Sequence, residues 1–554
     1  MATISADRFG GSIHKNALHL ISQPYASYAL NAKLTTGRLS SFNDTEPVAD
    51  DDSMQLEWGE KWIQVGCCWI KVPQCVDFAD GAVECNSYYF TGRSEYPEEA
   101  ILDTDTCELD FYRLGLPCPT QPPTVAYEDV DCDPPDCADP ADGCLNKDAE
   151  ARVYVYQFVN SRGQRSQVSP PSTIELVNDG TQAIVSGWEI PDDSWDIQTI
   201  RIYRAVSGFQ ESNNTVNNVF DTTYMFVGEI PITEQYFVDD LRNYELSDAL
   251  EEDTVTPPPT NLKGIHRISG MNVLVGYAGN RLYFTYNNQW WNWGIEMALE
   301  DNIRAITESA GLVYVATDGV PYVVTGTADC NSAECRQVIK FKSPYPYIGC
   351  NNKGMQPIEN GAVYPTHDGL VMLYGNSEPT LITSNIYSEE QWRDMRPDTA
   401  MPVYYKGKLF VFLAEYAFVI DLKADKGSMD IHSSLSDTHT VYAFVARTGE
   451  MYIERLDNTY IWERSHRKRQ HIWRTPIIRM QRGVAFSHIK VECGQGQEFV
   501  KVTMDKKTML EREVRPDYAM SLPLWARGQD IMIELSGDAD VTLMTMATSY
   551  SELL

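Results

Sequence analysis

Asp129, Asp131 and Asp133 stand at alternate positions in the stretch EDVDCDPPDCADPADG. Carboxylates at that spacing can offer hard oxygen ligands to Ca²⁺. The glycine and closing glutamate of an EF-hand loop are missing, and Cys132, Cys137 and Cys144 do not make a C-x-x-C zinc knuckle. The three aspartates are therefore minor metal candidates, and a solvated acidic loop accounts for them. A second cluster, NNQWWNWG, brings Trp290, Trp291 and Trp293 together. Neighbouring indoles can stack on sugars or fill the packing between β-elements and between subunits. Packing and assembly contact are the expectation, since Trp is enriched where proteins meet. The most basic stretch is ERSHRKRQ, with Arg467, Lys468 and Arg469. It can contact phosphates or the acidic surface of a neighbouring protein, and the chain's net charge favours the neighbour. His466 and His471, in and beside that stretch, read as surface residues. No G-x-S-x-G elbow, H-E-x-x-H helix, phosphate-binding glycine loop or repeated sialidase-type box occurs. No catalytic residue and no cofactor is expected.

The elements that would carry these residues are almost all strands. Residues 117–143 are rich in Pro and Asp, which excludes a helix or a central strand and predicts an irregular acidic loop. From residue 151 the period changes to two: RVYVYQFVN alternates as a half-buried strand does, and QAIVSGW, IQTIRIYRAVSG, TYMFVGEI and QYFVDD follow. That rhythm predicts a β-sandwich over 151–255 resembling fibronectin type III modules. A Pro-rich connection, TVTPPPTNLKG, marks a boundary. Beyond it a strand–turn–strand theme recurs, as in MNVLVGYAGNRLYFTY, GLVYVATDGVPYVVTG and GAVYPTHDGLVMLYG, with Gly279, Gly319, Gly369, Gly407 and Gly449 at the turns. A recurrence of about 40 residues is the size of one propeller blade. A propeller-like domain is expected over 256–477 and a small β-domain over 478–554, with residues 1–150 as a Cys/Asp-rich N-terminal region. SNIYSEEQWRDM is the best helix candidate, with Ser388 as its N-cap.

The 554 residues, 43% hydrophobic and 22% charged, can build several cores. A net charge of −33 argues against a DNA-binding module, which needs cations to replace phosphate counterions. It is compatible with a conduit past which DNA slides. The 13 cysteines are an odd number in a long chain without an export signal, so reduced thiols are the expectation. The N-terminus lacks a secretory pattern, and no apolar run is long enough to cross a bilayer.

Four stretches, in order, resemble the tail nozzle or tail-tube proteins of short-tailed bacteriophages. They are SQPYASYALNAKLTTGRLSSF; WWNWG with DNIRAITESAGLVYVATDGVPYVVTG; IGCNNKGMQPIENGAVYPTHDGLVML with LITSNIYSEEQWRDMRPDTAMPVYYKGKLFVF; and LPLWARGQDIMIELSGDADVTLMTMATSYSEL. Their collinear order is the specific signal, and the insert from Cys67 to Cys144 departs from the family pattern. The resemblance implies a structural virion protein in the phage tail, assembled in the host cytoplasm. It would be a ring, usually of six copies, meeting the tail adaptor and tail fibre or spike proteins, with the host surface as a further candidate partner. Genomic DNA would pass through its centre without sequence-specific binding. A receptor- or glycan-binding tail protein, motivated by the tryptophans, is the alternative; a propeller-type glycoside hydrolase is a further one.

Overall fold

The computed structural model describes residues 3–48, 60–81, 86–127, 149–178, 180–208, 223–250, 255–326, 336–422, 432–455, 458–516, 518–523 and 525–553. The chain is all-β and multidomain. It divides into two compact units, one of Met1–Cys75, Asp301–Thr325 and Gln337–Leu554, the other of Val76–Glu300 and Gly326–Arg336.

In the first unit, four-stranded antiparallel meanders of propeller-blade type follow one another. The first runs Ile303–Ser309, Leu312–Thr317, Tyr322–Thr325, Gln337–Lys340, and the second Gln356–Ile358, Gly361–Pro365, Leu370–Tyr374, Ser377–Leu381. The third runs Met401–Tyr405, Lys408–Phe412, Ala417–Asp421, His432–Ser434. Successive meanders pack face on face: Tyr314 and Val323 share a core with Tyr364 and Val371, and Val363 and Leu370 share one with Leu409 and Val411. Covering both faces explains the unbroken apolar runs such as LFVF (Leu409–Phe412), where a half-exposed sheet would alternate. The last meander has three local strands, Tyr442–Val445, Met451–Glu454 and Thr459–Ile461, and takes its fourth, Glu46–Pro47, from the start of the chain.

Besides two small two-stranded sheets, Glu60–Val65 with Cys68–Pro73 and Ala32–Lys33 with Ser40–Ser41, this unit contains a two-sheet sandwich. One sheet holds Val541–Ala547, His488–Cys493 and Met520–Ser521, and its edge is Thr3–Ala6 from the N-terminal segment. The other holds His471–Arg474, Arg527–Gly537, Glu498–Met504 and Lys507–Glu513. Tyr28–Leu30 joins that sheet to the third meander, pairing parallel at Leu30 with Ser434 and antiparallel with Ile472–Arg474. Two expectations are corrected here. Residues 1–150 are not one region, because their first part supplies edge strands to the sheets of the first unit. Residues 478–554 are not a self-contained domain, because their sheets take strands from the N-terminal segment. In both cases the cause is the need of an open sheet edge for a backbone partner.

The second unit contains a meander that composition hid inside the Cys/Asp-rich region: Asp77–Asp80, Ser87–Thr91, Glu98–Asp103, Glu108–Arg113. A further meander runs Lys263–Arg267, Leu274–Ala278, Arg281–Phe284, Ile295–Ala298. Between them in sequence lies a sandwich of a three-stranded sheet (Thr124–Tyr127, Ala183–Ser186, Tyr236–Asp239) and a four-stranded one (Glu175–Asn178, Ala149–Asn160, Ile197–Gly208, Met225–Pro231). It therefore begins before residue 151. Thr124–Tyr127, expected as irregular loop, is an edge strand in register with Ala183–Ser186, its prolines Pro122 and Pro123 standing just ahead of the ladder. Residues 128–143 of that expected loop, with Asp129, Asp131 and Asp133, lie outside the described residues.

Along one side of the strand Ala149–Asn160, Ser166, Ser169 and Ser172 replace a partner strand. Each donates its N–H to a carbonyl (Phe158, Tyr156, Tyr154) and accepts that residue's N–H at its own Oγ, at 2.9–3.1 Å. Pro170 and Pro171 fit in this run because the serine hydroxyls meet the strand's donors. The sandwich core also holds charge: Arg204 Nη1 and Tyr154 Oη each donate to Asp239 Oδ2 at 2.6 Å, with Arg204 and Asp239 both at 0% exposure.

Turn chemistry largely follows expectation. Gly279, Gly407 and Gly449 have φ of 61°, 81° and 78°. Gly319 does not need positive φ; a Cβ there would lie 2.5 Å from the Asp301 carboxylate, so close approach explains it. The helix forms at Glu389–Asp394, with Ser388 Oγ accepting from Gln391 N at 3.2 Å. Cys68 and Cys107 each take part in a disulfide, where reduced thiols were expected, whereas Cys67, Cys75, Cys118, Cys350 and Cys493 remain thiols.

Removing one member of a buried charged pair strands the other. Asp239→Ala should lower stability by about 3–5 kcal/mol, whereas Glu229→Ala, which breaks the part-exposed pair with Arg201, should cost less than about 1 kcal/mol. Urea unfolding of the two variants measures the contrast.

Candidate functional site

The basic stretch is built into the first unit by backbone pairing. Asp44 N donates to Arg467 O at 2.8 Å and Arg469 N donates to Phe42 O at 2.9 Å. This gives Arg467, Lys468 and Arg469 three different fates. Arg469 points inward, 7% exposed. Its guanidinium donates to both carboxylate oxygens of Asp437, reaches Asp44 Oδ1 at 3.2 Å and lies 4.6 Å from the Trp462 ring centre. Lys468 Nζ pairs with Asp540 at 2.8 Å. Arg467 is exposed, and its side chain makes no hydrogen bond or ion pair among the described residues. Across from it the turn after His432–Ser434 brings in Asp437 and His439, closed by Thr440 Oγ1 donating to Asp437 O at 3.1 Å, and Arg455 donates to Asp437 as well.

These residues line a cleft of about 450 Å³. Arg455, Arg467, Lys468 and Arg469 stand against Asp44 and Asp437, a formal +2 in a chain of −33. His439 also lines an adjoining pocket of about 560 Å³ whose walls include Ala400, Met401, Leu413 and Val441, with Cys350 and Lys353 on its polar side. Lys353 Nζ is held by Gln74 Oε1 at 2.5 Å. The cleft can hold a carboxylate or another single anion at Arg467, and the pocket can hold an apolar side chain.

The other sequence candidates are not brought to this site. Trp290 and Trp293 are 8% and 1% exposed in the core of the second unit, Trp290 stacking on Tyr89 with ring centres 5.9 Å apart. Trp291 packs half-buried against the sandwich core. A tight turn does this: Tyr286 N donates to Asn292 O, and Trp293 N donates to Thr256 O. Buried in this way, Trp290 and Trp293 have no face for a sugar or a neighbouring subunit, which corrects their expected role as assembly contacts. Among the described residues no group of His, Cys, Asp and Glu could hold a metal ion, and no helix is long and apolar enough to cross a membrane.

Sequence reading missed two buried polar trios. Ser41 Oγ lies 2.8 Å from His471 Nδ1, and His471 Nε2 lies 3.2 Å from Glu498 Oε1. The residue types are those of a nucleophilic triad, but Ser41, His471 and Glu498 are 5%, 0% and 2% exposed. A nucleophile must reach substrate, and this one is sealed. His471 was expected at the surface; alternation along His471–Arg474 turns it inward. In the second trio, His432 Nδ1 lies 2.8 Å from Ser12 Oγ and its Nε2 2.7 Å from Tyr387 Oη, with His14 stacked on Tyr387. No spacing motif could reveal either trio, because serine and histidine stand some 420–430 positions apart.

Two buried groups set opposite pH windows. Burial, and secondarily His14, hold His432 well below its ordinary 6.5. The unfolded chain then binds more protons below about pH 6.5, so stability is lost as pH falls. Burial pushes the Glu454 carboxyl from 4.5 up to about 8, against the opposing pull of its bond from Trp62 N and of Lys61 and Lys353. The folded chain keeps that proton when the unfolded chain has lost it, so stability falls as pH rises from 4.5 to about 8. Urea midpoints should show the wild type losing ground to Glu454→Gln across that window. His432→Gln should gain on the wild type only below about pH 6.5.

No protein-family model and no curated protein matches the chain. Solved structures that align with it include BamB from Moraxella catarrhalis, 10% identical, TM-score 0.25, covering 53% of this chain and 94% of that one. The WD40 domain of Pan2 from Neurospora crassa aligns at 10% identity and TM-score 0.25, covering 49% and 87%. A streptogramin B lyase aligns at 9% and 0.25, covering 61% and 97%. Likenesses this remote assign neither activity nor partner.

Proposed function

We propose that this chain is a structural protein of the short tail of a bacteriophage, a nozzle subunit that closes into a ring, of six copies, through which genomic DNA leaves the particle. The observation that carries the reading is the collinear order of the four stretches that resemble that family. Their placement supports it. The first and last, at opposite ends of the sequence, lie in one body: Leu39 pairs with Val541, and Ala26, Ala29 and Leu34 share a core with Met544 and Met546. Such a ring would sit in the virion tail, between an adaptor above and fibre or spike proteins around it.

The charge fits a passage better than a grip. Six copies carry roughly −200 formal charges. An acidic wall keeps a layer of water and ions against the phosphates, where a basic one would hold them. The glycan-binding alternative loses its motive once Trp290 and Trp293 are buried. The glycoside-hydrolase alternative needs two carboxyl groups open to substrate, and the buried trio of Ser41, His471 and Glu498 does not supply them.

Electron microscopy of the purified protein in negative stain should show closed rings, and a monomer or a trimeric fibre would overturn the reading. Ester and glycan substrates should not be turned over. Ser41→Ala should lower stability by about 1–3 kcal/mol through the stranded His471 nitrogen and leave any background turnover unchanged.

A further inference from the structure

We infer that the basic cleft and the apolar pocket beside it form one docking groove for a second copy of this chain. The face it receives is the acidic, aromatic edge of the sandwich in the second unit, centred on Tyr244. The inference rests on the ring reading, and names the contact that would close the ring.

The groove is prepared on both sides of His439. On the charged side, Asp437 and Asp44 hold Arg469, Asp437 also holds Arg455, and Asp540 holds Lys468. Arg467 alone among these cations is exposed without a side-chain partner in the described residues. The fixed carboxylates inside the cleft repel a continuous line of phosphates but leave room for one or two carboxylates at Arg467. On the apolar side, Met401, Leu413 and Val441 wall a pocket that an aromatic side chain can enter.

The matching face has the same two parts in opposite sense. Tyr244 is 77% exposed, and the 3-10 turn Asn243–Glu245 sets its position. Arg242 N donates to Glu245 Oε2 at 2.9 Å and Glu245 N donates back to Arg242 O at 3.0 Å, so little freedom is left for docking to remove. Tyr236 is 58% exposed on the neighbouring edge strand, and Asp240 and Asp248 flank the turn, both exposed. A Tyr244 ring in the pocket with Asp240 or Asp248 on Arg467 satisfies both halves of the groove. Groove and knob are different surfaces of one sequence, and a head-to-tail contact between unlike surfaces is what a closed ring requires.

The test uses the full-length protein, mass photometry and a salt series. Arg467→Glu and Tyr244→Ala, both at exposed positions, should each weaken assembly at least tenfold. Asp240→Arg with Asp248→Arg should do the same, and joining these to Arg467→Glu should restore assembly. Wild-type assembly should also weaken as salt rises. If the wild type forms rings and Arg467→Glu forms them equally well, this inference fails while the ring reading stands. If single variants weaken assembly but the charge reversal does not restore it, the proposed face is wrong. A wild type that is monomeric at every salt concentration overturns the ring reading itself. Binding of a 20-base-pair DNA duplex that is lost on Arg467→Glu would mark the cleft as a phosphate site and overturn the inference.

Discussion

Backbone hydrogen bonding at sheet edges is the constraint on which the first unit depends. Its last meander has three local strands and its two C-terminal sheets have open edges, and a buried edge without partners is costly. Residues of the N-terminal segment meet the need in three places: Thr3–Ala6 along Val541–Ala547, Tyr28–Leu30 between His432–Ser434 and His471–Arg474, and Glu46–Pro47 along Thr459–Ile461. One segment thus ties together bodies that lie hundreds of residues further along the chain. The charged cleft is a by-product of the same seam, since Asp44 comes from it and Arg467 and Arg469 are aligned by pairing with it.

Polar groups that look catalytic serve this seam. Ser41, His471 and Glu498 connect the N-terminal segment to the strands His471–Arg474 and Glu498–Met504, and Ser12 and His432 connect it to the third meander. Hydrogen-bonded polar groups of this kind fix register where apolar contact alone would allow slippage. The same residue types at the mouth of a cleft would suggest acyl transfer; sealed in a core, they hold strands.

Charge divides the molecule's roles in another way. A net charge of −33 keeps copies apart unless a specific complement brings them together, and the cleft is the complement in the proposed contact. Its cations are neutralised from within, except at Arg467, so it selects a short acidic surface over a polyanion. That would suit the proposed ring, whose subunits would hold each other while letting DNA pass.

Much of this was local and therefore legible. Alternation in RVYVYQFVN, glycines at Gly279, Gly407 and Gly449, and the Ser388 cap each act within a few residues, and each produced its strand, turn or helix, although RVYVYQFVN is buried on both faces where a half-buried strand was expected. The all-β class followed from them, and the family resemblance from the order of longer stretches. Asp- and Cys-rich composition, in contrast, concealed the meander from Asp77 to Arg113, because composition reports solvent exposure more than strand pairing. It could not show that Trp290 and Trp293 turn inward, that His471 lies beneath the surface, or that Arg467, Lys468 and Arg469 part company. The tryptophans turn inward through a turn closed on Asn292 and Thr256, whereas the other outcomes depend on which distant backbone supplies the missing sheet edge, and that is chosen by the sum of contacts across the whole chain.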